Sequence, residues 1–137
     1  MLVWGTCQPV GEAAGYEGFY FTKNDVDECI ASDQMVGKPV KIEHKGRDVG
    51  KVVSAWKNGS GQIDCLLQVD QPSLEGLFAR KFLQDGSCKE LSLGYVVDMK
   101  HSGERSRGIA KPVKKRVVEI SIVKKGARDN CYIHSVV

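Results

Sequence analysis

Lys89-Glu90-Leu91-Ser92-Leu93-Gly94-Tyr95 is the stretch on which the fold reading turns. Leu91, Leu93 and Tyr95 alternate with Glu90, Ser92 and Gly94, which is the period of a strand. The alternation puts the three apolar side chains on one face and Ser92 on the other, with Gly94 on the face of Ser92. A glycine there weakens a strand, but it lets another backbone or a substrate come close. Taken alone, this is an ordinary strand serine. It gains meaning only beside His44 and Glu119.

The elements to either side have the same character. An N-terminal strand over residues 1–7, a loop over 8–15 and a second strand or an extended segment over 17–22 are expected. Asn24 or Asp25 caps a short helix through residue 31, with Val26, Cys29 and Ile30 at helical spacing. Residues 40–44 alternate, with Val40, Ile42 and His44 on one face. A turn at Lys45-Gly46-Arg47 joins them to a strand over 48–56. Asn58-Gly59-Ser60-Gly61 is the strongest turn signal and leads into a strand over 63–69. In residues 72–83 the period changes: Leu74, Leu77, Phe78 and Phe82 recur at helical spacing, Ser73 or Asp70 caps the start, and Gly86 follows the end. Residues 101–112 lack periodicity and read as a loop. A strand over 115–123 places Val118, Ile120 and Ile122 on one face, and Val117, Glu119 and Ser121 on the other. Residues 130–137 supply a last strand. The sum is about seven short strands with one to three helices, a mainly β, antiparallel barrel or sandwich.

The 137 residues suffice for one domain, 1–137, and one core. No apolar run is long enough to span a bilayer, and the N-terminus lacks the order of a signal peptide. Cys7, Cys29, Cys65, Cys88 and Cys131 are scattered and odd in number, which disfavours a disulfide framework and a zinc site and suits a reducing compartment. The net charge of +3 is modest, yet ten basic residues fall between Lys100 and Arg128. They form either a solvated surface or a polyanion site.

Ser92, His44 and Glu119 supply the parts of an activated nucleophile. A serine hydroxyl needs an imidazole to take its proton. The imidazole needs an acceptor on its other nitrogen to fix the tautomer. Nothing in the sequence itself brings the three together.

Residues 35–44 (MVGKPVKIEH), 49–53 (VGKVV), 91–95 (LSLGY) and 119–123 (EISIV) resemble, in order and spacing, the signature blocks of viral capsid maturation proteases. That group includes tailed-phage prohead proteases and the herpesvirus assemblins. The resemblance implies a serine endopeptidase on a β-barrel fringed by helices, with Ser92 as nucleophile and His44 as general base. It puts the third role on Glu119, where assemblins use a second histidine and phage-type members tend to use an acid, so this chain is closer to the phage form. His101 and His134 fall outside the matching block. The assemblin Gly-Arg-Arg stretch corresponds to Gly126-Ala127-Arg128, so the oxyanion hole is expected at Ala127 and Arg128, with an arginine missing at 127. The implied substrates are a scaffolding protein and the protease's own precursor, cut inside an assembling capsid in the host cell. The capsid shell is then a partner, and because assemblins work as dimers the resemblance also implies a homodimer. No metal or cofactor is implied, and nucleic acid and membrane are not expected partners. An end at residue 137 suits a released protease domain. Two rivals stay open: a non-catalytic barrel that binds nucleic acid through the basic stretch, and a capsid or scaffold component without the chemistry. Cys88 is a remote alternative nucleophile.

Overall fold

The computed structural model describes residues 1–8, 22–97, 115–126 and 130–137. In chain order the elements are β1 (Leu2–Gln8), α1 (Lys23–Ala31), β2 (Pro39–Ile42), β3 (Lys45–Lys57), β4 (Ile63–Val69), α2 (Leu74–Asp85), β5 (Glu90–Val97), β6 (Lys115–Val123) and β7 (Ile133–Val136). The strands form one sheet in the order β5-β6-β2-β3-β4-β1-β7. It curls into a half-barrel whose ends touch at one bridge, Glu90 with Tyr132. There Leu91 N–H donates to Cys131 O at 2.8 Å and Ile133 N–H to Lys89 O at 2.9 Å.

The sheet is mixed and not purely antiparallel as expected, because β2 and β6 run parallel. Hairpins force antiparallel neighbours, but β2 and β6 are separated by β3, β4, α2 and β5, and a connection that long permits either direction. The extended segment at 17–22 and the loop at 101–112 lie outside the described residues, apart from Thr22.

Thr22, and not Asn24 or Asp25, caps α1. Its hydroxyl accepts from Asp25 N–H at 3.1 Å, while the Asp25 carboxylate accepts from Thr22 N–H at 2.7 Å. The reciprocal pair satisfies two backbone donors that the first turn leaves without partners. Ser73 caps α2 through Gly76 N–H at 3.0 Å, and Gly86, at φ 75°, ends it. The buried face of α2 is Gly76, Ala79 and Leu83, whereas Leu74, Leu77 and Phe78 are exposed. Small residues win here because the backbone at Gly76 comes close: an added Cβ would lie 3.0 Å from the Gln71 carbonyl carbon.

The core draws on every strand of the site. Leu91 and Leu93 of β5, Val40 of β2, and Val117, Ile120 and Ile122 of β6 belong to it. Val118 was expected on that face, but Val117 takes the place. A register shift in β5–β6 falls between Gly94 and Tyr95, opposite Glu119 and Val117, and the extra residue swaps the side on which the strand continues. Replacing Ile120, fully buried at the centre of β6, by alanine is expected to cost about 2–5 kcal/mol, read as a lower urea midpoint.

Candidate active site

Three strands and one turn build the site. On β5–β6, Ser92 pairs with Ser121 and Gly94 with Glu119, so these four residues share the sheet face opposite the core-facing leucines. The β2–β3 connection is a two-residue turn, Glu43-His44, closed by the pair Ile42 and Lys45. It does not fall at Lys45-Gly46-Arg47, which belongs to β3. Both turn residues have positive φ, 51° and 60°, as a type I′ turn requires. Without a glycine or asparagine this conformation is strained, by roughly 1–3 kcal/mol per residue. The turn also takes His44 off the face of Val40 and Ile42, where simple alternation put it.

His44 therefore lands beside Ser92 and Glu119. Its Nε2 is 2.9 Å from Ser92 Oγ, and its Nδ1 bonds Glu119 Oε1. An ionised carboxylate only accepts, so Nδ1 carries the proton there. In the neutral ring Nε2 is then the acceptor, and the Ser92 hydroxyl donates to it. Ser92 and Glu119 are buried, while the His44 side chain is 39% exposed. The bond to Glu119 raises the His44 pKa above its ordinary 6.5, against the opposing effect of burial; the charges of Glu119 and Glu43 add to the rise.

Several residues unmarked by the sequence reading hold this arrangement. The Ser121 hydroxyl donates to Glu119 Oε2 at 2.8 Å and accepts from His44 N–H at 2.9 Å. Glu43 N–H donates to Ile122 O at 3.1 Å, and Glu43 Oε1 accepts from Lys124 N–H at 2.8 Å. Glu90 Oε1 accepts from Gly126 N–H at 3.1 Å. The last two bonds fasten the chain just before residue 127. Ala127 and Arg128, expected at the oxyanion hole, lie outside the described residues, as does His101. Gly94 has its reason in Glu119: a Cβ there would lie 2.7 Å from the carboxylate carbon. The close approach at Gly94, expected from another backbone or a substrate, is made instead by the Glu119 side chain.

His134 lies elsewhere, with Nε2 2.7 Å from Thr6 Oγ1 and its ring 5.1 Å from that of Trp4. Thr6 donates its hydroxyl proton to Asp64 at 2.7 Å, so this second cluster offers no serine-like nucleophile. Cys88 is 4% exposed, and burial, then Glu43, pushes its thiol pKa up, which disfavours a thiolate. Of the basic stretch, Lys115 is buried against Asp25 at 2.6 Å, which leaves Arg116, Lys124 and Lys125 exposed among the described residues. No described helix is long and apolar enough to cross a membrane.

No family model and no curated protein sequence matches the chain. Solved structures do. Kaposi's sarcoma-associated herpesvirus protease in complex with an allosteric inhibitor is 18% identical, with a TM-score of 0.56 over 97% of this chain and 75% of that one. A second such complex is 19% identical, at TM-score 0.58 over 96% and 73%. The same protease with a dimer disruptor is 19% identical, at TM-score 0.57 over 98% and 77%. At such identity the likeness is one of fold, and these matches support the herpesvirus type of the resemblance and not the phage type.

Two measurements probe the site. The His44 pKa is raised in the folded protein, so the pairing stabilises most fully below 6.5 and fades as pH rises through the higher folded value. The stability gap between wild type and Glu119→Gln in urea is expected to narrow from about pH 6 to about pH 9. Gly94→Ala must displace the carboxylate, and an NMR titration is expected to show the His44 pKa returning toward 6.5 in a folded protein.

Proposed function

We propose that this protein is a serine endopeptidase of the viral capsid maturation kind. The carrying observation is the unbroken run from the Ser92 hydroxyl through both nitrogens of His44 to Glu119. The herpesvirus protease fold beneath it supports the same reading.

Ser92 attacks the scissile carbonyl as His44 Nε2 takes the hydroxyl proton. The imidazolium that forms is stabilised by the Glu119 carboxylate. His44 then gives the proton to the leaving amine, and water, activated the same way, hydrolyses the acyl-enzyme. Backbone N–H groups at Ala127 and Arg128 are the proposed oxyanion donors; losing one such donor typically costs about a hundredfold or more in turnover. By the family resemblance, the substrates are a scaffolding protein and the enzyme's own precursor, cut inside an assembling capsid in the host cell. The dimer disruptor bound to the neighbouring protease supports self-association here as well.

A fluorophosphonate probe and a scaffold-derived peptide test the reading. Ser92→Ala is expected to abolish labelling and hydrolysis while the fold survives. Glu119→Gln is expected to slow turnover by about a hundredfold or more, since the imidazole loses its tautomer control. Activity should fall on the acid side with a midpoint above 6.5, because His44 must be neutral to accept a proton. Wild-type turnover in Ser92→Ala would end the proposal.

A further inference from the structure

Glu119 has two carboxylate oxygens, and the proton relay uses only Oε1. The other, Oε2, accepts from the hydroxyl of Ser121, which is fully buried. That hydroxyl has one proton and gives it to Glu119. Its lone pairs face the other way and accept the backbone N–H of His44 at 2.9 Å. A second connection thus joins the base to its carboxylate, through the main chain of one and the unused oxygen of the other. It bypasses the imidazole.

We propose that Ser121 is a positioning residue that aligns His44 with Glu119, an inference that rests on the endopeptidase reading. Two tasks meet in one hydroxyl. The first is to stop the carboxylate rotating: with Oε2 held, Oε1 stays aimed at Nδ1. The second is to hold a strained turn. Glu43 and His44 sit at positive φ without a glycine, so their conformation persists only where neighbours over-determine it. Glu43 is gripped by Ile122 O and Lys124 N–H; His44 is gripped by Ser121. The position fits both tasks, because Ser121 pairs with Lys41 of β2 on one side and with Ser92 of β5 on the other. Alanine at 121 would keep the strand and leave a buried carboxylate oxygen and the His44 N–H without this partner.

The test reads alignment and chemistry separately. Among the described residues, the charged groups bearing on His44 are Glu119 on β6 and Glu43 in the turn. An NMR titration of the His44 ring in wild type, Ser121→Ala and Ser121→Thr reports the first pairing without needing turnover. In Ser121→Ala the His44 pKa is expected to fall toward its ordinary 6.5 as the carboxylate swings away. Fluorophosphonate labelling of Ser92 should slow by about ten- to a hundredfold. Ser121→Thr keeps the hydroxyl and is expected to restore both. If its extra methyl prevents folding, Ser121→Cys, a weaker donor, should give intermediate values. Adding Ser121→Ala to Glu119→Gln should slow labelling by clearly less than the two single losses combined, since one of the two tasks of Ser121 acts through that carboxylate. An unchanged His44 titration in folded Ser121→Ala overturns the proposal, and so does a fully additive loss. Absence of labelling in the wild type overturns the endopeptidase reading instead, while the titration still decides what Ser121 does.

Discussion

The two registers of β6 govern everything else. Against β5 it pairs Ser121 with Ser92 and Glu119 with Gly94; against β2 it pairs Ser121 with Lys41 and Ile122 with Ile42. The first register puts a carboxylate and a hydroxyl on the face that carries Ser92. The second ends β2 where its turn can fold His44 over that face. A slip of one residue in either pairing would send the polar set into the core and the isoleucines to the outside. The buried Ile120 and Ile122 therefore fix the site as firmly as its own hydrogen bonds do. Packing sets the register, and the register delivers the chemistry.

The unfavourable terms of the site are tied together. A carboxylate 8% exposed is costly unless paired and hydrogen-bonded, and Glu119 is both. A turn with two positive-φ residues that are not glycine is strained, and three contacts from the β6 region hold it. Each cost is met by the element that causes the other. Ser121 stands at the junction, with one bond to the carboxylate and one to the turn.

Much of this was legible in the sequence, and the failures have physical causes. Period-2 alternation gave β5 its two faces because Leu91 and Leu93 are flanked by polar or small residues. Turn chemistry marked Asn58-Gly59, and the helix stop at Gly86 needed only its φ. The β2–β3 turn was misplaced because Gly46 is the usual signal, whereas the real turn forces a glutamate and a histidine into glycine-like conformations. The inner face of β6 was misassigned at Val117 and Val118 because a register shift leaves no trace in residue types. That β2 lies beside β6, parallel, is a tertiary fact that no local pattern carries. Ser121 was within reach, since it shares the face of Glu119 two residues on, but a strand serine is unremarkable until its partners are known.

The acid at 119 has consequences for its neighbours. A histidine in the place of Glu119 could be buried neutral and would need no counter-charge. A carboxylate stabilises the imidazolium by full charge as well as by a hydrogen bond, so it raises the basicity of His44 more strongly. It also needs a second donor for its spare oxygen, and space beside β5 where a side chain would otherwise project. Ser121 supplies the donor, and the missing Cβ of Gly94 supplies the space. Glu119, Ser121 and Gly94 are thus one solution to one problem. Exchanging the acid for an imidazole would remove the need that explains the other two.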